Sequence, residues 1–241
     1  MLAGILAAAA CGWFIGRVAF KVRGAYFVIV SISFAEVARL VALNWVELTQ
    51  GPMALNNIPA LSVAGFAFLR KPSVYWLVLG VAIACFILIA RLVHSRAGRA
   101  MVALSENEAL ATSVGIDVTR YLVLATVVSA AMAGAAGVLY AHYVRIVDPD
   151  VFLFIYTVTM AIMVITGGKG TLAGPVVGGV IFGLMPETLR AAQIKPEMQW
   201  VIYGVLMVLV VYFLPEGIVP AVGQWWQRRR ENAATMAKTA P

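Results

Sequence analysis

His94 to Asp117 reads H-S-R-A-G-R-A-M-V-A-L-S-E-N-E-A-L-A-T-S-V-G-I-D, a polar stretch between long apolar runs that carry almost no charge. Within it, Ser105-Glu106-Asn107-Glu108 has the form of a capping box, in which the Ser105 hydroxyl accepts from the Glu108 amide and Glu108 reaches back. Gly115 stands where a left-handed residue would end the helix. These two signals predict a helix from Glu106 to Val114, about two and a half turns long. Leu110 and Val114, four apart, share one face, and Glu106 and Glu108 favour the positive N-terminal end. A short capped helix in water between apolar spans is either an ordinary helical loop or a docking surface.

The rest of the composition sets the environment. The chain is 62% hydrophobic and 12% charged, outside the range of soluble domains and in that of membrane proteins. Its net charge of +7 falls between the apolar runs, as membrane topology demands, and not on a basic-aromatic groove for nucleic acid. Cys11 and Cys85 lie within apolar runs and read as small core residues, while His94 and His142 lack metal-ligand spacing. In G-G-K-G-T, Gly167 to Thr171, Gly170 follows the lysine where a phosphate loop needs Ser or Thr, so no ATP chemistry, metal or cofactor is expected in this chain. Basic residues follow the first apolar run instead of preceding it, which fits a retained span and not a signal peptide.

The expected fold is all-α: a polytopic transmembrane bundle of about seven spans with one short cytoplasmic coupling helix. The spans are placed at residues 2–20, 26–45, 74–93, 121–142, 151–166, 176–189 and 200–214, the last three shorter than the roughly twenty residues of a comfortable crossing. Residues 1–220 form the membrane domain, with the coupling loop at 94–117, and 221–241 form a cytoplasmic tail. With the coupling loop inside, alternation puts twelve Lys and Arg residues in the cytoplasm. Five lie outside (Arg70, Lys71, Arg145, Arg190 and Lys195), with Arg39 inside span two.

The run E-N-E-A-L-A-T-S-V-G-I-D-V-T-R-Y resembles the coupling loop of ABC importer permeases of the branched-chain amino-acid family, LivM type. R-G-A-Y-F-V-I-V-S-I-S-F-A-E-V-A-R-L, G-P-M-A-L-N-N-I-P, D-P-D-V-F and G-G-K-G-T-L-A-G-P extend the resemblance, in order, from about Arg23 to Gly217. The resemblance implies that Glu108, Ala111 and Gly115 take the motif positions. Leu110 stands where a second alanine is usual, and Ser105 where a basic residue is common. It also implies the partners: ATP-binding subunits into whose cleft the helix inserts, a second permease subunit and an extracytoplasmic substrate-binding protein. The implied location is a bacterial-type inner membrane, and the implied cargo branched-chain or related small amino acids and amides. Family members carry further spans ahead of the R-G-x-Y-F segment, so the chain is expected to lack N-terminal spans, with Met1 an internal start or a truncated gene product.

Glu36 and Arg39 are the ionisable residues well inside a span, where a charge costs roughly 2.5 to 3.5 kcal/mol and needs a partner or a wet cavity. Three apart on a helix, they either neutralise each other or line a path for a zwitterion, with Ser31 and Ser33 able to add hydroxyls. Span four carries two overlapping small-xxx-small pairs, Ala130 with Gly134 and Ala133 with Gly137, suited to packing within the chain or to a seam with the second permease. T-Q-G-P-M-A-L and T-G-G-K-G-T-L-A-G-P are similar breaks, making Gly51, Pro52, Gly168 and Gly170 pathway candidates if they mark inverted repeats. The alternative class is an ion-coupled secondary transporter with Glu36 as the coupling acid, which would not need a capped docking helix.

Overall fold

A computed structural model describes residues 1–20, 25–59, 62–63, 66–67, 71–214, 217–224 and 226. Lys21, Arg23, Arg70 and the Arg228 to Arg230 cluster, which enter the charge count above, lie outside the described residues, as does most of the tail. The chain is helical apart from one antiparallel pair of two-residue strands, β1 (Ser62–Val63) and β2 (Phe66–Ala67), among the described residues. Two compact units divide at residue 153, Met1–Leu153 and Phe154–Pro241.

The first unit contains α1 (Leu2–Ala19), α2 (Ala25–Asn44), α3 (Val46–Thr49), α4 (Lys71–His94), α5 (Arg96–Glu106), α6 (Glu108–Ser113) and α7 (Val118–Val144). Of these, α1, α2, α4 and α7 are long and apolar enough to cross a membrane. They leave large apolar side chains such as Leu6, Phe14, Ile29 and Ile87 exposed. A helix that is apolar all round belongs in lipid or in a large core. At about 1.5 Å per residue, α7 with its 27 residues is about 40 Å long, more than a hydrocarbon layer requires.

α1 and α7 pack through small residues at four-residue spacing. A methyl group placed on Gly12 would collide with the Ala130 Cβ, and one on Gly134 would lie 2.6 Å from the Ala8 Cβ and 3.0 Å from the Gly4 carbonyl oxygen. Gly16 meets Thr126, and Gly4 meets Val138, so the two helices run antiparallel. Lipid removes most of the hydrophobic drive for helix association, so close backbone approach and dispersion must hold this seam. The Ala130–Gly134 pair therefore packs within the chain. Ala133 and Gly137 of the second pair are exposed.

The end of α7 is tied to the loop after α2. Leu55 and Val147 exchange backbone hydrogen bonds of 2.8 and 3.1 Å, and a His142 ring nitrogen, Nδ1, lies 2.9 Å from the Pro59 carbonyl oxygen. This loop starts with Gln50 in the left-handed region and a 3-10 turn at Gly51–Met53. Gly51 has φ of 55°, and a Cβ there would sit 2.7 Å from the Leu43 carbonyl oxygen, so its backbone and its space both require glycine. With α1 antiparallel to α7, the start of α1, the 51–59 loop and the end of α7 share one end of the unit.

The second unit contains α8 (Phe154–Gly168), α9 (Gly174–Ala191) and α10 (Pro196–Phe213), of 15, 18 and 18 residues. Ile162, Phe182 and Tyr203 form its buried centre, with Val158, Met185 and Leu206 packed around them. The α8–α9 hairpin closes backbone to backbone: methyl groups on Gly167 and Gly178 would overlap the Gly174 and Met163 carbonyls. Thr171 Oγ1 donates to the Gly168 carbonyl and accepts from the Gly174 amide, which starts α9.

Candidate coupling site

Three caps build the polar stretch. Ser95 ends the turn after α4: its Oγ donates to the Leu92 carbonyl at 2.6 Å and accepts from the Gly98 amide at 3.2 Å. Gly98 is buried against the Leu92 and Val93 carbonyls, where any Cβ would collide. α5 follows, an amphipathic helix that the capping-box reading did not foresee. Asn107 then serves two helices at once: its N–H donates to the Ala103 carbonyl of α5, and its Oδ1 accepts from the Leu110 amide at 3.0 Å to cap α6. Asp117 caps α7 by accepting from the Arg120 amide at 3.1 Å.

The expected Ser105 capping box is therefore corrected. Ser105 lies in the last turn of α5 and donates to the Val102 carbonyl at 2.7 Å. Glu106 ends α5 instead of opening the docking helix, and Glu108 occupies the first turn of α6. Ser and Asn are comparably good caps, so local preference could not choose between Ser105 and Asn107. The extra turns of α5 from its Ser95 cap move the break two residues on.

The C-terminal signal stands as expected. Gly115 has φ of 86°, its N–H donates to the Thr112 carbonyl at 3.0 Å, and the Ile116 N–H donates to the Ala111 carbonyl at 3.1 Å. This pair of bonds is a Schellman motif, which satisfies the carbonyls a helix end leaves open. α6 buries Ala111, 4% exposed, and presents Leu110 and Val114, 65% and 73% exposed. Glu108, Ala109, Thr112 and Ser113 line an open depression of about 560 Å³ beside them. Two apolar side chains beside exposed polar groups thus project from a short helix capped at both ends.

The other candidates do not gather at α6. Glu36 and Arg39 pair with each other on α2, Arg39 Nη2 donating to Glu36 Oε1 at 2.9 Å and Nε lying 3.1 and 3.2 Å from the two carboxylate oxygens. Ser31 Oγ donates to the Phe27 carbonyl of its own helix, and Ser33 is exposed. Gly51 and Pro52 shape the loop at the opposite end of the unit from α6. Gly168, with φ of 127°, lies in the α8–α9 crossing, and Gly170, with φ of 80°, faces open space. Sequence reading missed the Gly4, Ala8, Gly12 and Gly16 series on α1, although its strict spacing of four was a readable signal. It also missed an apolar groove of about 590 Å³ between α4 and α7, the two helices joined through the coupling stretch.

Residues 1–211 match the family described as branched-chain amino acid transport system / permease component. The chain belongs to this family. It is 31% identical over 242 residues to the high-affinity branched-chain amino acid transport system permease protein LivM of Salmonella typhimurium, covering 91% of this chain and 56% of that protein. LivM of Escherichia coli K12 is 30% identical, over 99% of this chain and 60% of the relative. LivH, a permease protein of the same kind of system in Salmonella typhimurium, is 30% identical over 90% of this chain and 72% of its own length. The chain thus spans somewhat more than half the length of these LivM relatives. No solved structure matches it.

Proposed function

We propose that this family member is a multi-pass inner-membrane permease subunit of an ABC importer for branched-chain or related small amino acids. In this reading α6 docks into a separate ATP-binding subunit. Nucleotide-driven movement there tilts α4 and α7, which the coupling stretch joins, and opens the path alternately to either side. The observation that carries the proposal is α6 itself: a six-residue helix capped at both ends, with Leu110 and Val114 exposed, set between two long apolar helices. The LivM and LivH relatives, two different permease proteins, support pairing with a second permease; an extracytoplasmic binding protein completes the proposed importer. The seven-crossing layout belongs to the same proposal; antiparallel α1 and α7 agree with its alternation. Ion coupling through Glu36 gains no support, since both its carboxylate oxygens are engaged by Arg39.

The test is affinity purification of the tagged chain from its native membrane, with the accompanying proteins identified by mass spectrometry. An ATP-binding subunit and a second permease are expected. A chain that purifies alone and accumulates leucine from an ion gradient without ATP overturns the reading.

A further inference from the structure

At the end of the first unit opposite α6, the 51–59 loop and the end of α7 line an open depression of about 490 Å³. Its walls are of two kinds. Arg145, Asn56 and Asn57 supply polar groups, while Ile58, Val144 and Ile146 supply aliphatic surface. Backbone bonds join its two sides: Leu55 and Val147 form a bridge next to the lining residues, and the Ile58 amide lies 3.5 Å from the Arg145 carbonyl oxygen. Arg145 ends α7 in the left-handed conformation, with φ of 63° and ψ of 9°, and Asn57 has φ of 60°. Non-glycine residues with such backbones are strained, arginine more than asparagine, and strain of this kind gathers where side chains must be aimed.

Among the described residues the Arg145 guanidinium has no carboxylate partner. Asp148, three residues on, accepts from the Asp150 amide at 3.0 Å. Asn56 turns its amide donors back to the Met53 and Ala54 carbonyls, which leaves Asn57 as the other amide in the lining that Arg145 shares. A guanidinium and an amide in one lining can take a carboxylate, and the isoleucine and valine side chains of the same lining can take a short branched hydrocarbon. The volume lies within the range of small-molecule sites.

We propose that this pocket is an outer subsite for a small aliphatic amino acid, with its carboxylate on Arg145 and Asn57 and its side chain against Ile58, Val144 and Ile146. The proposal rests on the permease reading for the ligand class and for the side of the membrane it faces. It assigns the cargo a contact on the permease itself before the path between the spans opens.

Saturation-transfer NMR with millimolar leucine, on the full transporter complex without a binding protein, tests it. The expected result is transfer to leucine, strongest at its methyl groups. Binding should be about tenfold weaker or more in Arg145→Asn, a residue that accepts the left-handed backbone but lacks the charge, and partly restored in Arg145→Lys. Leucinamide, which lacks the carboxylate, should bind poorly to the unaltered complex. Asn57→Asp, which sets a like charge against the ligand, carries the same expectation and decides the matter should Arg145→Asn not fold. Equal leucine signals in the variants, or equal signals from leucinamide, overturn the subsite. So does loss of binding-protein association in Arg145→Asn with leucine transfer unchanged, since the pocket would then hold the partner and not the cargo. ATP-driven leucine uptake by the unaltered complex in proteoliposomes, with the extracytoplasmic binding protein restored, is measured beside it. Normal uptake with no effect of the variants sinks the subsite alone; absent uptake sinks the permease reading.

Discussion

If α6 transmits force, its caps should control transmission without controlling folding, and the structure says which cap to remove. Asn107→Ala deletes the 3.0 Å bond from the Leu110 amide, whereas Ser105→Ala deletes only a bond from Ser105 back to Val102 within α5. Loss of an N-cap costs about 0.5–2 kcal/mol. A six-residue helix has no stability of its own to absorb that loss, so about 1 kcal/mol shifts its ordered fraction roughly fivefold. Gly115→Val attacks the other end, where a β-branched residue at φ of 86° costs about 1–2 kcal/mol. Neither change touches the α1–α7 seam, so expression and membrane insertion should stay normal. Stimulated ATP hydrolysis by the co-purified complex should fall severalfold in Asn107→Ala and further in Gly115→Val, with weaker retention of the ATP-binding subunit. Asn107→Asp should restore it, and Ser105→Ala should match the unaltered protein. Unimpaired hydrolysis and retention in both Asn107→Ala and Gly115→Val would refute the role given to α6; a defect in Ser105→Ala but not in Asn107→Ala would refute the cap assignment.

Gly12→Leu and Gly134→Leu should each cost about 1–3 kcal/mol or more and lower the melting temperature of the purified protein, because overpacking a tight contact forces side-chain and backbone shifts. Gly137→Leu, with no atom within 4 Å of its Cβ position, should leave melting unchanged yet weaken the complex if that face meets the second permease. Glu36→Gln should lower yield more than Glu36→Gln combined with Arg39→Gln, since the single change leaves an arginine without its carboxylate in a span. A double variant that folds well and abolishes uptake would move the pair into the transport path. Single cysteines at Ser113 and Ala233 should be labelled from the cytoplasm and one at Asn57 from outside; outside labelling at Ala233 would refute seven crossings.

The bundle was legible because each long helix contains an apolar window of 18 residues with at most two charged side chains, and no periodicity is needed to see one. The Gly115 stop was legible because a Schellman motif is written in one residue and its two neighbours. Asn107 was not, since Ser105 and Asn107 are equivalent by local preference and only the Ser95 cap on α5, ten residues upstream, decides between them. The Glu36–Arg39 contact was one of the two readings that their spacing allowed. The outer pocket did not: Asn57 and Arg145 are 88 positions apart, and a backbone bridge between Leu55 and Val147 brings them together.

These differences share a cause. In lipid, an apolar face carries little information about its partner, because the solvent is as apolar as the neighbouring helix. Specificity then moves to the places where backbone comes close or ends: glycines in crossings and side-chain caps at helix termini. Gly12 against Ala130, Gly98 against the Leu92 carbonyl, and Gly167 against Gly174 are contacts a single methyl group would break. The coupling stretch concentrates the second kind, with Ser95, Asn107 and Asp117 starting three helices within 23 positions. Such a segment has little apolar burial to hold it, apart from Ala111, so its shape depends on hydrogen bonds worth about 1 kcal/mol each. That makes α6 a poor contributor to stability. In the proposed coupling role, it also lets α6 shift as a body when a partner pulls on it, while glycine-packed α1 and α7 keep their seam.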